Sequence, residues 1–295
     1  MTMAKRVGWA GLSVLTLLVA LSVQIVGSVL VVFPYAFVTG FQAAANGQSN
    51  SQMAENLMGN MGEITGIILV VVGVLLLLVF IPWFYFGCGR QKITGESARR
   101  VFAPQTLLVA IIIAMGLNYG INCLLQLVYA MAPKVLENYQ QLMENAGIGT
   151  NLWANAAAVV MAPLGEELIF RGVAFHYARK AVAGMKNPKA AFWIANCMQA
   201  LLFGIYHLNL VQGIYAFAIG LALGYLCHRY RSVIPGMLAH LVFNGMSALF
   251  DGVMYAWIPE DIVWYAIISV AAIALVLITI VKNGLQITDN EQNVA

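Results

Sequence analysis

The feature that most constrains this chain is a series of apolar runs, each long enough to cross a bilayer, separated by short segments that collect most of its basic residues. A hydrocarbon core of ~30 Å takes ~20 apolar residues in a helix. Eight segments qualify: 7–33, 65–87, 105–131, 152–178, 189–207, 210–228, 234–251 and 260–281. Only 9% of the residues are charged, against about a quarter in soluble domains. Water cannot be the solvent for that much apolar surface, because even a large soluble domain leaves much of its surface wet. The chain is therefore expected to be all-α, a polytopic bundle of about eight transmembrane helices.

The breaks between runs carry their own signals. Pro104 precedes the third run and Pro133 follows it, while Asn187-Pro188 fits a helix cap followed by proline at the first helical position. The run from Val7 to Phe33 exceeds the 7–15 residues of a cleaved signal peptide's apolar region, so it reads as a retained first helix. Residues 134–146 place Val135, Leu136, Tyr139, Leu142 and Met143 at helical spacing, which predicts an amphipathic helix on the outer interface. The segment 40–62, rich in Asn, Gln, Ser and Gly, reads as a mobile loop.

Basic residues assign a side to each loop. Thirteen of the fifteen fall on one face of an eight-span chain: Lys5, Arg6, Arg90, Lys92, Arg99, Arg100, Arg179, Lys180, Lys186, Lys189, Arg229, Arg231 and Lys282. The opposite loops hold Lys134 with Glu55, Glu63, Glu137, Glu144, Asp251, Glu260 and Asp261. Both termini are expected in the cytoplasm, and the short loops point to a bacterial cytoplasmic membrane. No basic stripe offers itself to nucleic acid. Cys88, Cys123, Cys197 and Cys227 have no CxxC spacing and read as free thiols in apolar runs.

Several residues contradict their apolar surroundings. Glu166, Glu167 and Arg171 lie inside the fourth run. Each costs ~2.5–3.5 kcal/mol near a helix centre, so together they impose roughly 8–10 kcal/mol before any pairing. That run persists only inside a bundle. Glu167 and Arg171 are spaced i,i+4 and can neutralise each other, while Glu166 points ~100° away from Glu167 in a regular helix. One carboxylate is then structural and the other is left for a different partner. His207 ends the fifth run, four residues after Phe203, and His240 shares a helix face with Asn244. Taken alone, His240 and Asn244 could equally be an interhelical hydrogen-bonding pair. Asn118, Asn122 and Gln126 form a polar stripe of packing residues, and Gly116/Gly120 and Gly220/Gly224 mark close helix contacts.

In order, the chain offers Glu-Glu-Leu-Ile-Phe-Arg at 166–171, Phe-Gly-Ile-Tyr-His at 203–207 and His-Leu-Val-Phe-Asn at 240–244. This resembles the CPBP family of intramembrane endopeptidases, which process CAAX proteins and bacteriocins and carry EExxxR, FxxxH and HxxxN/D motifs. Gly172 and Pro235 also stand where such proteins often have them. The resemblance covers residues 150–250. It implies that Glu166 is a general base on water, that His207 orients that water or shares the proton, and that His240 and Asn244 donate to the oxyanion. Glu167 and Arg171 would be a scaffold pair and Phe203 a packing residue. Residues 151–251 would form the catalytic core, with membrane helices and the outer helix in 1–150, and a last span and tail in 252–295.

The implied partners are the lipid bilayer and a peptide or lipidated-protein substrate. No cofactor is required, although Glu166, His207 and His240 could serve a zinc-dependent version of the same hydrolysis. A proton-coupled transporter, a membrane scaffold and an immunity protein are alternatives of other classes. One geometric demand is severe. At 1.5 Å per residue from the nearest basic cluster, Glu166 lies ~20 Å deep, His207 ~27 Å and His240 ~11 Å. Upright helices cannot bring them together, so tilt, a broken helix or an overhanging helix is required, as is a polar cavity reaching Glu166.

Overall fold

A computed structural model of the chain describes residues 1–88 and 95–284; Arg90 and Lys92 of the expected basic face lie outside them. Helices occupy nearly all of this length, and no strand occurs among the described residues. In chain order they are α1 (Met3–Ala45), α2 (Asn50–Gly59), α3 (Met61–Pro82), α4 (Gly95–Val101), α5 (Pro104–Met131) and α6 (Pro133–Asn145). Three short helices follow, α7 (Leu152–Ala156), α8 (Ala162–Glu166) and α9 (Phe175–Val182), joined by π-wound segments Ala157–Met161 and Glu167–Ala174 into one helix over 152–182. The chain ends with α10 (Pro188–Tyr206), α11 (Leu210–Tyr230), α12 (Ile234–Leu249), α13 (Asp251–Met254) and α14 (Ile262–Asn283).

All eight expected runs are helical. Among the described residues, five helices are by themselves long and apolar enough to cross a membrane: Met3–Ala45, Gly62–Gly87, Pro104–Met131, Leu210–Tyr230 and Ile262–Asn283. The other three differ for a physical reason. The 152–182 helix carries the charged residues, α10 carries the buried Asn196 and Gln199, and α12 has 16 residues. Charged and buried polar residues set the first two apart, and length sets α12 apart. The outer faces of α1 and α14 show large side chains such as Phe33, Phe37, Val270 and Val281 to the surroundings, as lipid contact requires.

Two expectations about the first helix need correction. α1 does not stop near residue 33 but continues to Ala45 through Pro34. A proline inside a membrane helix is tolerated because neighbours and local adjustment satisfy the backbone it disrupts. The supposed loop 40–62 is consequently the end of α1, then α2, then the start of α3. The helix expected at 134–146 is α6, with Pro133 in its first turn and Leu136 buried. It leans on the bundle through Tyr139, whose hydroxyl lies 2.7 Å from that of Tyr215.

Packing follows small residues and polar caps. Gly116 and Gly120 let α5 meet α14 so closely that a Cβ at Gly116 would stand 2.6 Å from Val276 Cγ2, and one at Gly120 3.0 Å from Ile273 Cγ1. Asn118 donates to the Phe243 carbonyl at 3.1 Å and to Ser247 at 2.8 Å, tying α5 to α12. On α10, Asn196 and Gln199 donate to the carbonyls of Leu221 and Gly220 on α11, each at 2.9 Å. The α10–α11 turn closes because Gly204 and Gly213 touch, a Cβ on Gly204 falling 2.6 Å from the Gly213 carbonyl. His207 is the capping residue of that turn.

Two apolar clusters result. One gathers α5, α9 to α12 and α14 around Ile113, Phe192 and Tyr225. The other gathers α1, α3, the second π segment and α10 around Phe80, Phe170 and Phe203. Replacing Gly116 by leucine is expected to cost about 1–3 kcal/mol through overpacking against Val276, whereas leucine at Gly8, which has open space around it, should be silent. Thermal unfolding in detergent micelles compares the two.

Candidate active site

The site forms where α12 crosses the middle of the 152–182 helix. Glu166 closes α8, and Glu167 opens the second π segment. Arg171 Nη1 lies 2.9 Å from Glu167 Oε1, with both side chains fully buried. The same oxygen lies 3.0 Å from His240 Nδ1. The other ring nitrogen, His240 Nε2, lies 3.7 Å from Glu166 Oε2. One imidazole therefore sits between two sequential glutamates. The simple division into a structural and a free carboxylate gives way to a shared histidine.

Adjacent side chains reach the same ring because they meet different edges of it, Glu167 at Nδ1 and Glu166 at Nε2. Successive residues of an α-helix diverge by ~100°, and both glutamates keep ordinary α-helical dihedrals. The π segment that follows ends with the Phe175 N–H donating to the Phe170 carbonyl. Depth is resolved similarly by geometry. Glu166 and His240, counted at different depths from their own basic clusters, nevertheless meet at 3.7 Å.

Phe203 organises the rest. Its ring carries the Arg171 guanidinium 4.2 Å from its centroid. It also meets His207 edge-on at 5.0 Å and His240 at 5.7 Å. His207 thus reaches the cluster across this ring and lies within electrostatic range of His240 and Arg171. Asn244, one turn beyond His240, donates from Nδ2 to the Ala158 carbonyl at 2.8 Å. Glu166, Glu167, Arg171, Phe203 and His240 are brought into mutual contact, with His207 and Asn244 at the margins.

Enclosure is strong but uneven. The Glu166 side chain keeps 9% of its surface and His240 keeps 5%, against none for Glu167 and Arg171. The exposed edge of the cluster is therefore the gap between Glu166 and His240. A groove of about 390 Å³ lined by Tyr35, Gln42, Asn46 and Asn56 lies between α1 and α2 and includes none of the motif residues. Among the described residues, no three His, Cys, Asp or Glu side chains gather as a metal-ligand set.

Several residues escaped the sequence reading. A Cβ at Gly236 would stand 2.7 Å from Glu167 Oε2, so the α12 backbone must approach that carboxylate directly. Likewise a Cβ at Gly220 would stand 3.4 Å from Arg171 Nη2. The hydroxyls of Tyr206 and Tyr215 lie within electrostatic range of Glu166. Of these, Gly220 reads in the sequence as a close-contact glycine though not for Arg171, and Pro235-Gly236 stands out at the head of α12; the two tyrosines carry no local signal.

Residues 148–246, about a third of the chain, match the family model described as type II CAAX prenyl endopeptidase Rce1-like. That match likens the segment to the CPBP family of intramembrane endopeptidases. No curated protein and no solved structure matches the chain. The matched segment contains every motif residue above and spans the 152–182 helix through most of α12. With several helices long and apolar enough to cross a membrane, the chain is an integral multi-pass membrane protein. Arg171→Gln is expected to destabilise it by about 3–5 kcal/mol, because Glu167 loses its buried counter-charge. Adding Glu167→Gln should recover part of that loss, measured by denaturant unfolding in micelles.

Proposed function

We propose that the chain hydrolyses a peptide bond of a membrane-associated protein or peptide, with residues 151–251 as the catalytic core. The observation that carries this reading is the imidazole of His240 held between Glu167 and Glu166 at 3.0 and 3.7 Å. Glu167, neutralised by Arg171, accepts from His240 Nδ1–H and fixes which nitrogen remains for chemistry. That nitrogen is Nε2. Its separation from Glu166 exceeds a direct hydrogen bond and suits two groups that share one water lying off their line.

In the proposed reaction, Glu166 takes a proton from that water as its oxygen attacks the scissile carbonyl carbon. The carbonyl oxygen becomes an oxyanion, which His240 meets from the Nε2 side of its ring. The proton held by Glu166 passes to the amide nitrogen, the C–N bond breaks, and acid and amine leave. His207 packs on the Phe203 ring, which also meets His240, and so supports the site from beyond that ring. Apolar surroundings strengthen each of these interactions relative to water. The substrate class is a peptide ending in a prenylated cysteine followed by three residues, the CAAX chemistry that the family name describes.

The mechanism is proposed without metal, since the donor side chains engage one another instead of converging on a common point. Glu166→Gln is expected to lower kcat/KM for a fluorogenic farnesylated CAAX peptide by about 10²–10⁴ while leaving the unfolding midpoint in place. Cleavage should persist after dialysis against EDTA. Loss of cleavage that zinc restores would overturn the metal-free reading, and wild-type cleavage by Glu166→Gln would remove the assigned base.

A further inference from the structure

α12 meets the 152–182 helix through two side chains one turn apart. His240 engages the glutamates, and Asn244 donates to the carbonyl of Ala158. That carbonyl is an unusual acceptor. In an α-helix it would take the N–H of Ala162, and in a π turn the N–H of residue 163. The N–H of Ala162 goes instead to the Ala157 carbonyl. Residue 163 is proline, buried within α8, and has no N–H to give. Neither helical position thus supplies a donor to Ala158, and a carbonyl left open inside an apolar bundle is costly. Asn244 closes it at 2.8 Å.

We infer that Asn244 is a positioning residue: its amide closes the carbonyl that Pro163 leaves open, and this bond sets α12, and His240 with it, against Glu166. The bond fixes the crossing of the two helices only two turns from Glu166, on the helix that carries both glutamates. Its kinetic consequence rests on the hydrolase reading, while the hydrogen bond itself stands without it. The inference differs from a role for Asn244 on the oxyanion, because it ties the side chain to a particular proline rather than to substrate.

That tie supplies the test. Pro163→Ala restores an N–H at residue 163, and then either helical pattern provides Ala158 with a donor from its own helix. The full-length protein in detergent is compared as wild type, Asn244→Ala, Pro163→Ala and the double variant, by thermal unfolding and by hydrolysis of the farnesylated peptide. Asn244→Ala should lower the unfolding midpoint by about 3 °C or more and kcat by about tenfold, with KM little changed. In the Pro163→Ala background at least half of each loss should vanish. Equal losses in both backgrounds overturn the shared carbonyl. An unfolding midpoint that recovers while the kcat loss stays whole overturns the positioning role and places Asn244 on the substrate. If Asn244→Ala does not fold, recovery of folded protein on adding Pro163→Ala supports the inference and continued failure refutes it. Wild-type cleavage by Glu166→Gln would sink the hydrolase reading alone, leaving the unfolding comparison to judge the bond.

Discussion

A carboxylate and a guanidinium, both without exposed surface and 2.9 Å apart, sit among helices built to face lipid. Taking two charges out of water is expensive, and their attraction repays this only when geometry is good and further hydrogen bonds are made. Here one oxygen of Glu167 takes both the Arg171 and the His240 contacts. The ion pair is therefore also the joint between the 152–182 helix and α12. Gly236 allows the joint to close, because any side chain there would meet the other carboxylate oxygen. Phe203 covers the guanidinium face and ties α10 to the same centre. Three helices are registered by one pair of charges.

The rest of the bundle can be understood as housing for that centre. Helices that carry polar groups cannot face hydrocarbon, so they are the ones least able to span a membrane alone. The segments that span on their own account, α1, α3, α5 and α14 among them, pack around them. Glycine contacts bring α14 against α5, and Asn118 then fixes α5 on α12. A substitution at this periphery reaches the site through α12, two contacts away.

Much of this was legible in the chain itself. Membrane class, helix positions after the first span, the Glu167–Arg171 pair and the glycine contacts all follow from periodicities of three or four residues, which a helix translates directly into faces. What was not legible depends on departures from regular winding or on register between distant helices. α1 outran its expected end because the largely apolar sequence after Pro34 still winds as helix. The contact of His240 with Glu167 could not be read from spacing, since 73 residues and several turns separate them. Depth counting failed because it assumed that every basic cluster marks the same plane.

The winding of the 152–182 helix gives neighbouring helices a hold on the site. In its first π segment the carbonyl of Ala158 loses both helical donors, since the Ala162 N–H goes to Ala157 and Pro163 has none to give. Asn244 meets that carbonyl, and further along the same helix the Cys227 thiol reaches the Arg171 carbonyl at 3.7 Å and Ser13 the Ala174 carbonyl at 2.9 Å. The donors come from α12, α11 and α1, helices that surround the site. The helix that carries both glutamates is therefore held by side-chain bonds to its backbone as well as by the buried ion pair.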